Sequence, residues 1–381
     1  MNAAADLAPP RRLIGAELRE LPTPALILDL PTVVANIAEM ARRMAPLPAA
    51  LRPHAKIHKS PQLARMQLEA GAIGITTATI WEAATMVDAG IADVLVANQV
   101  VGPRKVAELA RLAGAGRPLA LVDDADNVDR IAAAAHRAGA EVGVLVELDV
   151  GLRRAGLRSV AAAVALAERI ERTPGVRLRG AFGYEGHCMF EPDRAERVRK
   201  AEAANAVLLE LVDALAVRGL STEIVAAGGL GTWDITGANP RITEIHAGSY
   251  IFSDVFHRNL VPGFEPALTV LATISSKAGA MAVLDCGRKS IGIDRALPEL
   301  VGVGGEIRFE HGEHFIHEEH TAIVLADEES LAVGDTVRLL PGYSPTTVNF
   351  YDSYYITEDG LVTDVWPVLG RYGSETTGTG T

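Results

Sequence analysis

The alternation of short apolar segments with longer amphipathic segments between residues 25 and 250 constrains the fold of this 381-residue chain more than any other feature. The short segments, such as ALILDL, DVLVAN and VGVLVELDV, are strand-like, and the longer ones carry apolar residues three and four positions apart, as amphipathic helices do. Repetition of β then α indicates parallel strands joined by crossover helices. With the segment around Lys56 included, eight or nine strands are predicted, which favours an α/β fold with a closed (β/α)8 TIM-type barrel over an open sheet.

The pattern changes after about residue 265. Segments such as AMAVLDCG and TAIVLAD are short, often β-branched and separated by Gly, Pro and Asp, and no long helical pattern interrupts them. This sequence pattern indicates a mostly antiparallel β-domain. We therefore predict a barrel over residues 25–265, a β-domain formed by residues 1–24 and 266–372, and a disordered tail at residues 373–381, which read GSETTGTGT.

The charge and the cysteine count narrow the class of protein. A formal net charge of -12, from 48 acidic and 36 basic residues, argues against a nucleic-acid partner. No uncharged apolar run approaches the roughly 20 residues that span a bilayer, and no secretory signal follows Arg11 and Arg12. Cys188 and Cys286 alone form neither a disulfide framework nor a zinc cluster. We predict a cytoplasmic enzyme that acts on a small molecule and binds no nucleic acid or membrane.

The segment LRPHAKIHKSP, residues 51–61, combines histidines and lysines behind an apolar stretch: His54, Lys56, His58 and Lys59. Three interpretations fit it: a solvated basic face, a phosphate or nucleic-acid patch, or a reactive amine. In barrel enzymes the catalytic residues lie at the carboxyl ends of strands, and Lys56 follows the second predicted strand between two apolar residues. Burial there would lower the pKa of Lys56 and favour Schiff-base formation with a carbonyl group. Lys59 is the expected surface lysine of the pair.

Further polar motifs follow later strands of the predicted barrel. Glycines in AAGGLGTWD, residues 226–234, allow backbone amides to approach a phosphate, although such a stretch is often only a turn. HAGSY adds two hydroxyl groups, DVGLRRAG places Arg153 and Arg154 after one strand, and GYEGH places Tyr184, Glu185 and His187 after the next. A reactive lysine, a phosphate site and an aromatic–arginine setting together indicate pyridoxal 5'-phosphate, a cofactor that acts as an electron sink.

At this point the chain resembles the D-threonine aldolase and D-serine dehydratase family, which are fold-type III pyridoxal-phosphate enzymes with the fold of alanine racemase. The resemblance extends over nearly the whole chain, from LPTPALILDL to VTDVWPVLG. It is carried by the motifs RPHAKIHK, VGLRRAG, YEGH, GGLGT, AGSY and DCGRK. The family works as homodimers with active sites at the subunit interface, so the resemblance implies a homodimer here.

The resemblance also implies roles for individual residues. Lys56 corresponds to the Schiff-base lysine, Arg154 to a residue near the cofactor's phenolic oxygen or the substrate carboxylate, and Tyr184 to a residue beside the cofactor ring. The implied phosphate ligands are Gly228, Gly229, Gly231, Thr232, Ser249 and Tyr250. His54 and His58 are either supporting residues around the site or ordinary core or surface histidines.

The chain departs from the family at its divalent-metal site. The family's metal-binding segment, PNHxCxT, corresponds here to PGYSPTTVNFYD, residues 341–352, with Tyr343 at the histidine and Pro345 at the cysteine or aspartate. Proline offers no side-chain ligand, and neutral tyrosine is a poor ligand for zinc, manganese or magnesium. We therefore predict that the family's metal site is missing.

The segment HGEHFIHEEH, residues 311–320, carries four further histidines: His311, His314, His317 and His320. Their spacing of three fits neither a strand face nor a helix face, so a solvated turn is predicted rather than a metal site. By resemblance, only Glu319 and His320 match a family pair near the active site.

The predicted reaction is retro-aldol cleavage of a β-hydroxy-D-amino acid to glycine and an aldehyde by a pyridoxal-phosphate lyase without a metal. A protein base would then take the hydroxyl proton, and His187, His320 and Tyr343 are the candidates. Tyr343 also parallels the C-terminal-domain tyrosine of alanine racemase-type enzymes. The alternatives are an amino-acid racemase, a D-serine dehydratase-like deaminase, or a cofactor-binding protein without catalysis, and the presence of two full domains favours an enzyme.

Overall fold

The computed structural model describes residues 13–371, apart from His311 and Glu329. The chain divides into two compact units. One, here called the β-unit, comprises the described residues up to Ile37 together with Ser249–Leu369, and the other, the barrel unit, comprises Ala38–Gly248 with Gly370 and Arg371. The predicted tail at residues 373–381 lies outside the described residues, as do residues 1–12.

The strands are numbered in chain order through both units. The first is β1 (Ala25–Asp29). The strands of the barrel unit are β2 (Ala50–Leu51), β3 (Ile75–Thr77), β4 (Asp93–Gln99), β5 (Arg117–Val122), β6 (Val142–Glu147), β7 (Val176–Phe182), β8 (Ile224–Ala227) and β9 (Glu244–Ile245). The later strands are β10 (Leu268–Ala278), β11 (Met281–Leu284), β12 (Glu299–Val301), β13 (Gly305–Ile307), β14 (Phe309–Glu310), β15 (Glu313–His314), β16 (Thr321–Leu325), β17 (Thr336–Leu340), β18 (Ser353–Glu358) and β19 (Leu361–Pro367).

The helices alternate with the strands in the barrel unit and are few after it. They are α1 (Leu30–Met44), α2 (Pro61–Glu69), α3 (Ile80–Asp88), α4 (Pro103–Ala115), α5 (Ala125–Arg137), α6 (Val160–Glu171), α7 (Arg194–Val217), α8 (Trp233–Thr236), α9 (Val255–Leu260) and α10 (Ser344–Asn349). None of the helices in the described part of the chain combines the length and hydropathy needed to cross a bilayer.

The barrel unit contains one sheet of eight strands in the order β2-β9-β8-β7-β6-β5-β4-β3, and all neighbouring strands are parallel. The ring closes between its first and last strands, since His54 forms a parallel bridge with Thr76. Two hydrogen bonds support this closure, from Ile73 N–H to the Leu51 carbonyl at 3.0 Å and from Thr76 N–H to the Pro53 carbonyl at 2.9 Å. The predicted (β/α)8 barrel is confirmed.

Side-chain caps define where most barrel helices begin. At five helices a residue just before the first turn accepts a backbone N–H three positions ahead, and these caps are Ser60, Thr79, Asp124, Ser159 and Asp193. Each such cap stabilises its helix by about 1 kcal/mol. Because the caps lie between the end of a strand and the start of a helix, they fix the loops at the carboxyl end of the barrel, where a site is expected.

The β-unit contains a nine-stranded sheet, with the path β13-β16-β11-β10-β1-β18-β19 and with β17 pairing with both β10 and β12. All of these pairs are antiparallel except β1 with β18, so the predicted mostly antiparallel domain is confirmed. Gly15 N–H donates to the Val362 carbonyl at 2.8 Å, so the described part of the N-terminal segment contacts this unit.

The strand β1 is a correction to the sequence analysis, which placed it in the barrel. Its partners are instead β10, with Ala25 opposite Leu271, and β18, with Ile27 opposite Tyr355. Residues 25–28 are buried on both faces of the β-unit sheet, so they form the continuous apolar run that is typical of a parallel barrel strand. Periodicity alone could not separate the two cases. Residues 249–265 also belong to the β-unit, so the compact units differ from the boundaries of 25 and 265 expected from the sequence.

Candidate active site

Lys56 lies in a single 3-10 turn, Ala55–Ile57, immediately after the strand that closes the barrel. Burial of the amine and the positive charge of Arg154 lower its pKa to about 8, while the carboxylate of Glu82 acts in the opposite direction. With such a pKa roughly a tenth of the amine is neutral at pH 7, whereas an ordinary lysine is neutral in fewer than about one molecule in a thousand. This lysine is therefore a competent nucleophile toward a carbonyl group.

The two histidines beside Lys56 shape the turn that carries it. The Nδ1 atom of His54 accepts the backbone N–H of Lys56 at 3.4 Å, and Nδ1 of His58 accepts that of Ser60 at 3.1 Å. Desolvation lowers the pKa of His54 well below its ordinary value and that of His58 to about 4. Both rings are therefore neutral and act as acceptors that fix the backbone, the supporting role left open by the sequence.

Lys59 is buried, not on the surface as the sequence analysis expected. Its side chain is 7% exposed and forms an ion pair with Glu82, which is itself 1% exposed. The second carboxylate oxygen of Glu82 accepts the backbone N–H of Ala78 at 2.7 Å. A buried carboxylate requires a partner, and here α3 supplies the acid and the turn after Lys56 supplies the cation. Since the pair joins residues 23 positions apart, the local sequence did not show it.

Arg154, Tyr184 and the glycine-rich turn lie close together. The guanidinium of Arg154 lies 5.4 Å from the centre of the Tyr184 ring. A Cβ atom at Gly229 would lie 3.3 Å from Cε2 of the same ring and 3.1 Å from the sulfur of Met189. The Tyr184 hydroxyl donates to that sulfur at 3.1 Å. Tyr184 therefore packs between an arginine and a turn that has no room for a larger residue.

The glycine-rich turn is held by Glu185, to which the sequence analysis gave no role. One carboxylate oxygen accepts the Gly228 N–H at 3.0 Å, and the other accepts the hydroxyls of Thr232 at 2.8 Å and Thr236 at 2.5 Å. Gly228 has φ +80, a conformation that favours glycine. The sequence signal for this role is the motif YEG, in which Glu185 stands between an aromatic residue and a glycine shortly after strand β7.

His187 lies in the 3-10 turn Gly186–Phe190 that follows Glu185. Its ring packs against Gly151, where a Cβ atom would lie 3.0 Å from Cε1 of the imidazole. The Nδ1 atom of His187 is buried and has no hydrogen-bond partner among the described residues. Because buried polar atoms are nearly always hydrogen-bonded, the unpartnered nitrogen indicates a position where a bound ligand would supply the hydrogen bond.

Ser249 and Tyr250, the predicted hydroxyl ligands of the phosphate, lie in the β-unit in the 3-10 turn Ser249–Ile251. Both are buried, and the Tyr250 ring packs against Phe264 with their centroids 5.7 Å apart. They directly follow Gly248 of the barrel unit, where a Cβ atom would lie 2.5 Å from the His54 carbonyl oxygen. Their contact with a phosphate stays a prediction.

Tyr343, the residue at the family's metal-binding histidine, caps α10 in the β-unit. Its ring stacks on His257 with centroids 5.6 Å apart and an interplanar angle of 22°. Asp254 holds this arrangement, since it contacts Nδ1 of His257 at 2.7 Å and accepts the N–H of Ser344 at 2.6 Å. Burial and the charge of Asp254 raise the pKa of Tyr343, so its phenol is protonated at neutral pH.

The histidines of the histidine-rich segment are exposed where they are described. His314, His317 and His320 lie on the surface of the β-unit, and His311 falls outside the described residues. The carbonyl of His320 accepts the N–H of His317 at 2.7 Å, which closes a tight turn. Within the described ranges, no group of three His, Cys, Asp or Glu residues is arranged to hold a metal ion.

Comparison with known proteins gives consistent matches along the chain. Residues 28–254 match the alanine racemase N-terminal domain, and residues 267–357 match the putative serine dehydratase domain. A D-threonine aldolase of Arthrobacter sp is 35% identical over 95% of this chain and 96% of its own length. A 3-hydroxy-D-aspartate aldolase of Paracoccus denitrificans (strain Pd 1222) is 33% identical over 94% of each chain. The crystal structure of D-threonine aldolase from Filomicrobium marinum superposes with a TM-score of 0.88 at 34% identity, covering 95% of this chain and 98% of that one.

These matches define the class as enzymes with the alanine racemase-like fold. Within that class the chain belongs to the D-threonine aldolase and D-serine dehydratase family, so the family predicted from the motifs is confirmed.

Proposed function

We propose that this protein is a pyridoxal-phosphate-dependent lyase that cleaves β-hydroxy-D-amino acids into glycine and an aldehyde. The observation that carries the proposal is the amine of Lys56, whose pKa is lowered to about 8 at the carboxyl end of the barrel. The family membership and the names of its aldolase relatives support the same activity.

The residues present fit the cofactor. The amine of Lys56 would hold it covalently, Arg154 and Tyr184 would flank its ring, and the glycine-rich turn would receive its phosphate together with Ser249 and Tyr250. The unpartnered Nδ1 of His187 and the tight packing at Gly229 are the features expected beside a bound group. When bound, the cofactor supplies an electron sink for the electron pair left at Cα when a bond to that carbon breaks.

Cleavage requires a base for the β-hydroxyl proton. As the O–H proton leaves, the oxygen forms the aldehyde carbonyl, the Cα–Cβ bond breaks, and Cα later gains a proton to give glycine. We assign the proton-accepting role to His187, because its Nδ1 is buried and unpartnered beside Gly151. His320 is exposed and the phenol of Tyr343 is already protonated at neutral pH, so both are weaker candidates for this step.

We further propose that the enzyme works without the family's divalent metal. Tyr343 and Pro345 occupy the positions of the two metal ligands in the resembling motif, and neither supplies the imidazole, thiolate or carboxylate that such a metal prefers. The Tyr343 ring is instead packed on His257. The donor set in this segment does not fit the metal.

The alternatives differ in the bond that breaks. Loss of the Cα proton would give a racemase, which is favoured by Tyr343 as a protonated phenol able to donate to Cα. Loss of the β-substituent would give a dehydratase, which is favoured by the match of residues 267–357 to the putative serine dehydratase domain.

Proton NMR in D2O of the metal-free, pyridoxal-phosphate-loaded enzyme with D-threonine or D-phenylserine separates these reactions. Glycine and an aldehyde in the presence of EDTA, with no metal found by plasma mass spectrometry, would support the proposal. Exchange of the Cα proton without cleavage would indicate the racemase, and a 2-oxo acid the dehydratase. Bound cofactor with no turnover of any D-amino acid would favour a cofactor-binding protein.

We also propose a homodimer with active sites at the subunit interface, as the family resemblance implies, and a cytoplasmic location. Both cysteines, Cys188 and Cys286, are free and buried, as is usual for a protein of a reducing compartment. Light scattering at micromolar concentration tests the dimer, and a monomeric mass would contradict it.

A further inference from the structure

We infer that Glu185 is a positioning residue for the cofactor's phosphate: its buried carboxylate sets the conformation of the turn Gly228–Thr232. This inference rests on the proposed function and assigns a role to a residue that contacts the turn and not the reacting atoms. The side chain of Glu185 is 1% exposed, so solvent does not satisfy its charge.

Three donors converge on this carboxylate from two directions. The Gly228 N–H reaches one oxygen at 3.0 Å from the first residue of the turn. The hydroxyls of Thr232 and Thr236 reach the other oxygen at 2.8 Å and 2.5 Å from its last residue and from α8. The carboxylate therefore joins both ends of the turn, and a buried charge with several donors is held in a defined geometry.

The two threonines that donate to Glu185 also accept hydrogen bonds themselves. Thr232 uses its hydroxyl oxygen to accept the Gly229 N–H at 3.2 Å, and Thr236 accepts the Asn205 amide at 3.3 Å. Thr232 and Thr236 are fully buried, and Asn205 lies on α7. A chain of hydrogen bonds thus runs from α7 through Glu185 into the turn.

This network decides which groups are left for an anion. The Gly228 and Gly229 N–H groups and the Thr232 hydroxyl are already engaged within the protein. The first N–H groups of a helical turn have no partner within it, so those of residues 230 and 231, in the turn Leu230–Thr232, are left as donors. The sequence predicts four residues of this turn as phosphate ligands, Gly228, Gly229, Gly231 and Thr232, and we reassign Gly228, Gly229 and Thr232 as supports of the turn.

A carboxylate accepts from all three donors and strengthens each hydrogen bond by its charge. A glutamine would turn its NH2 group either toward the Gly228 N–H, which cannot accept, or toward the two threonine hydroxyls, which would then have to accept instead of donate. The variant Glu185→Gln therefore loses the charge-assisted hydrogen bonds that fix the turn. We expect the orientation of the N–H groups of residues 230 and 231 to change with it.

The test compares binding of pyridoxal phosphate and of pyridoxal, which lacks the phosphate, to apoprotein. Both ligands are titrated into wild type and Glu185→Gln and followed by visible absorbance. We expect wild type to prefer pyridoxal phosphate, and the variant to lose about tenfold in affinity for it while its affinity for pyridoxal stays within about twofold. The ratio of the two affinities is a readout that a general loss of structure would not change selectively.

The pair Thr236→Val and Thr236→Ser provides a second measurement if Glu185→Gln does not fold. Valine removes the hydroxyl that donates to Glu185, so the preference for pyridoxal phosphate should fall, and serine retains the hydroxyl, so the preference should return. An unchanged ratio in folded Glu185→Gln, or equal losses for both ligands, would overturn the inference. Failure of wild type to bind either ligand would instead overturn the proposed function.

Discussion

The carboxyl end of the barrel and the segment at residues 341–352 differ in how they relate to the family. The barrel retains the lysine, the arginine, YEGH and the glycine-rich turn, and each is supported by buried contacts such as the Lys59–Glu82 pair. The second segment carries Tyr343 and Pro345 where the family motif has metal ligands, and its Tyr343 ring stacks on His257, which pairs with the buried Asp254. Under the proposed function, cofactor binding and activation of the substrate hydroxyl are separable, because the residues for the first match the family motifs and those for the second do not.

The largest effect is expected from the barrel residue that would hold the cofactor. Lys56→Ala should abolish turnover and the visible absorption band of covalently bound cofactor, since no other amine takes its place. The control is Lys59→Met, which should keep the band although loss of a buried ion-pair partner costs about 3–5 kcal/mol of stability. If Lys56→Ala kept its band and Lys59→Met lost it, Lys59 and not Lys56 would be the lysine that holds the cofactor.

His187→Ala should lower kcat by about 10²–10⁴-fold while the cofactor band remains, because the base is lost and the cofactor lysine is not. Steady-state kinetics with D-threonine and an absorbance spectrum check this. Gly151→Ala should act in the same direction, because its Cβ would press on the imidazole and because Gly151 has φ +123. Full activity of His187→Ala would mean that the base is a residue of the β-unit, such as His320 or Tyr343. Activation of the substrate hydroxyl would then depend on the β-unit and not on the barrel.

A smaller effect on the rate is expected from a substitution in residues 341–352. Tyr343→Phe keeps the ring on His257 and removes the hydroxyl, and it should lower the rate of cleavage by about tenfold if the phenol assists proton transfer. Tyr351→Phe is the matched control, because its hydroxyl donates to the Ser290 carbonyl at 2.8 Å and its loss should cost about 1 kcal/mol of stability without changing kcat. Equal kinetics of Tyr343→Phe and wild type would make Tyr343 a packing residue.

The smallest effect concerns the pH dependence of Lys56. The neutral amine reacts, so the rate of covalent cofactor attachment to apoprotein should rise with pH and level off above about pH 8. Arg154 lowers the pKa of Lys56, so Arg154→Gln should move this midpoint to higher pH. The neighbouring Arg153→Gln is the control and should leave it in place. A midpoint unaffected by Arg154→Gln would mean that the charge of Arg154 does not contribute to the lowered pKa of Lys56.

Much of this molecule was predictable because its signals are local. The β-then-α alternation predicted the barrel, and the motifs around Lys56, Arg154 and Tyr184 predicted residues that the barrel brings together. What could not be predicted depended on distant partners. Lys59 is a surface lysine by sequence and a buried one by its pairing with Glu82 on α3. Strand β1 has the composition of a barrel strand and lies in the other sheet, since both environments bury it on two faces.

The closure of the barrel at Lys56 has a consequence for the protein's motions. The ring is joined there by β2, a strand of two residues, and by the backbone hydrogen bonds from Ile73 and Thr76. A junction with few backbone hydrogen bonds opens locally at a low cost in free energy. A ligand held at Lys56 would then keep this junction closed. Amide hydrogen exchange at Ile73 and Thr76 should therefore slow when the cofactor binds. We therefore expect attachment of the cofactor at Lys56 to stabilise the closure of the barrel as well as to load the active site.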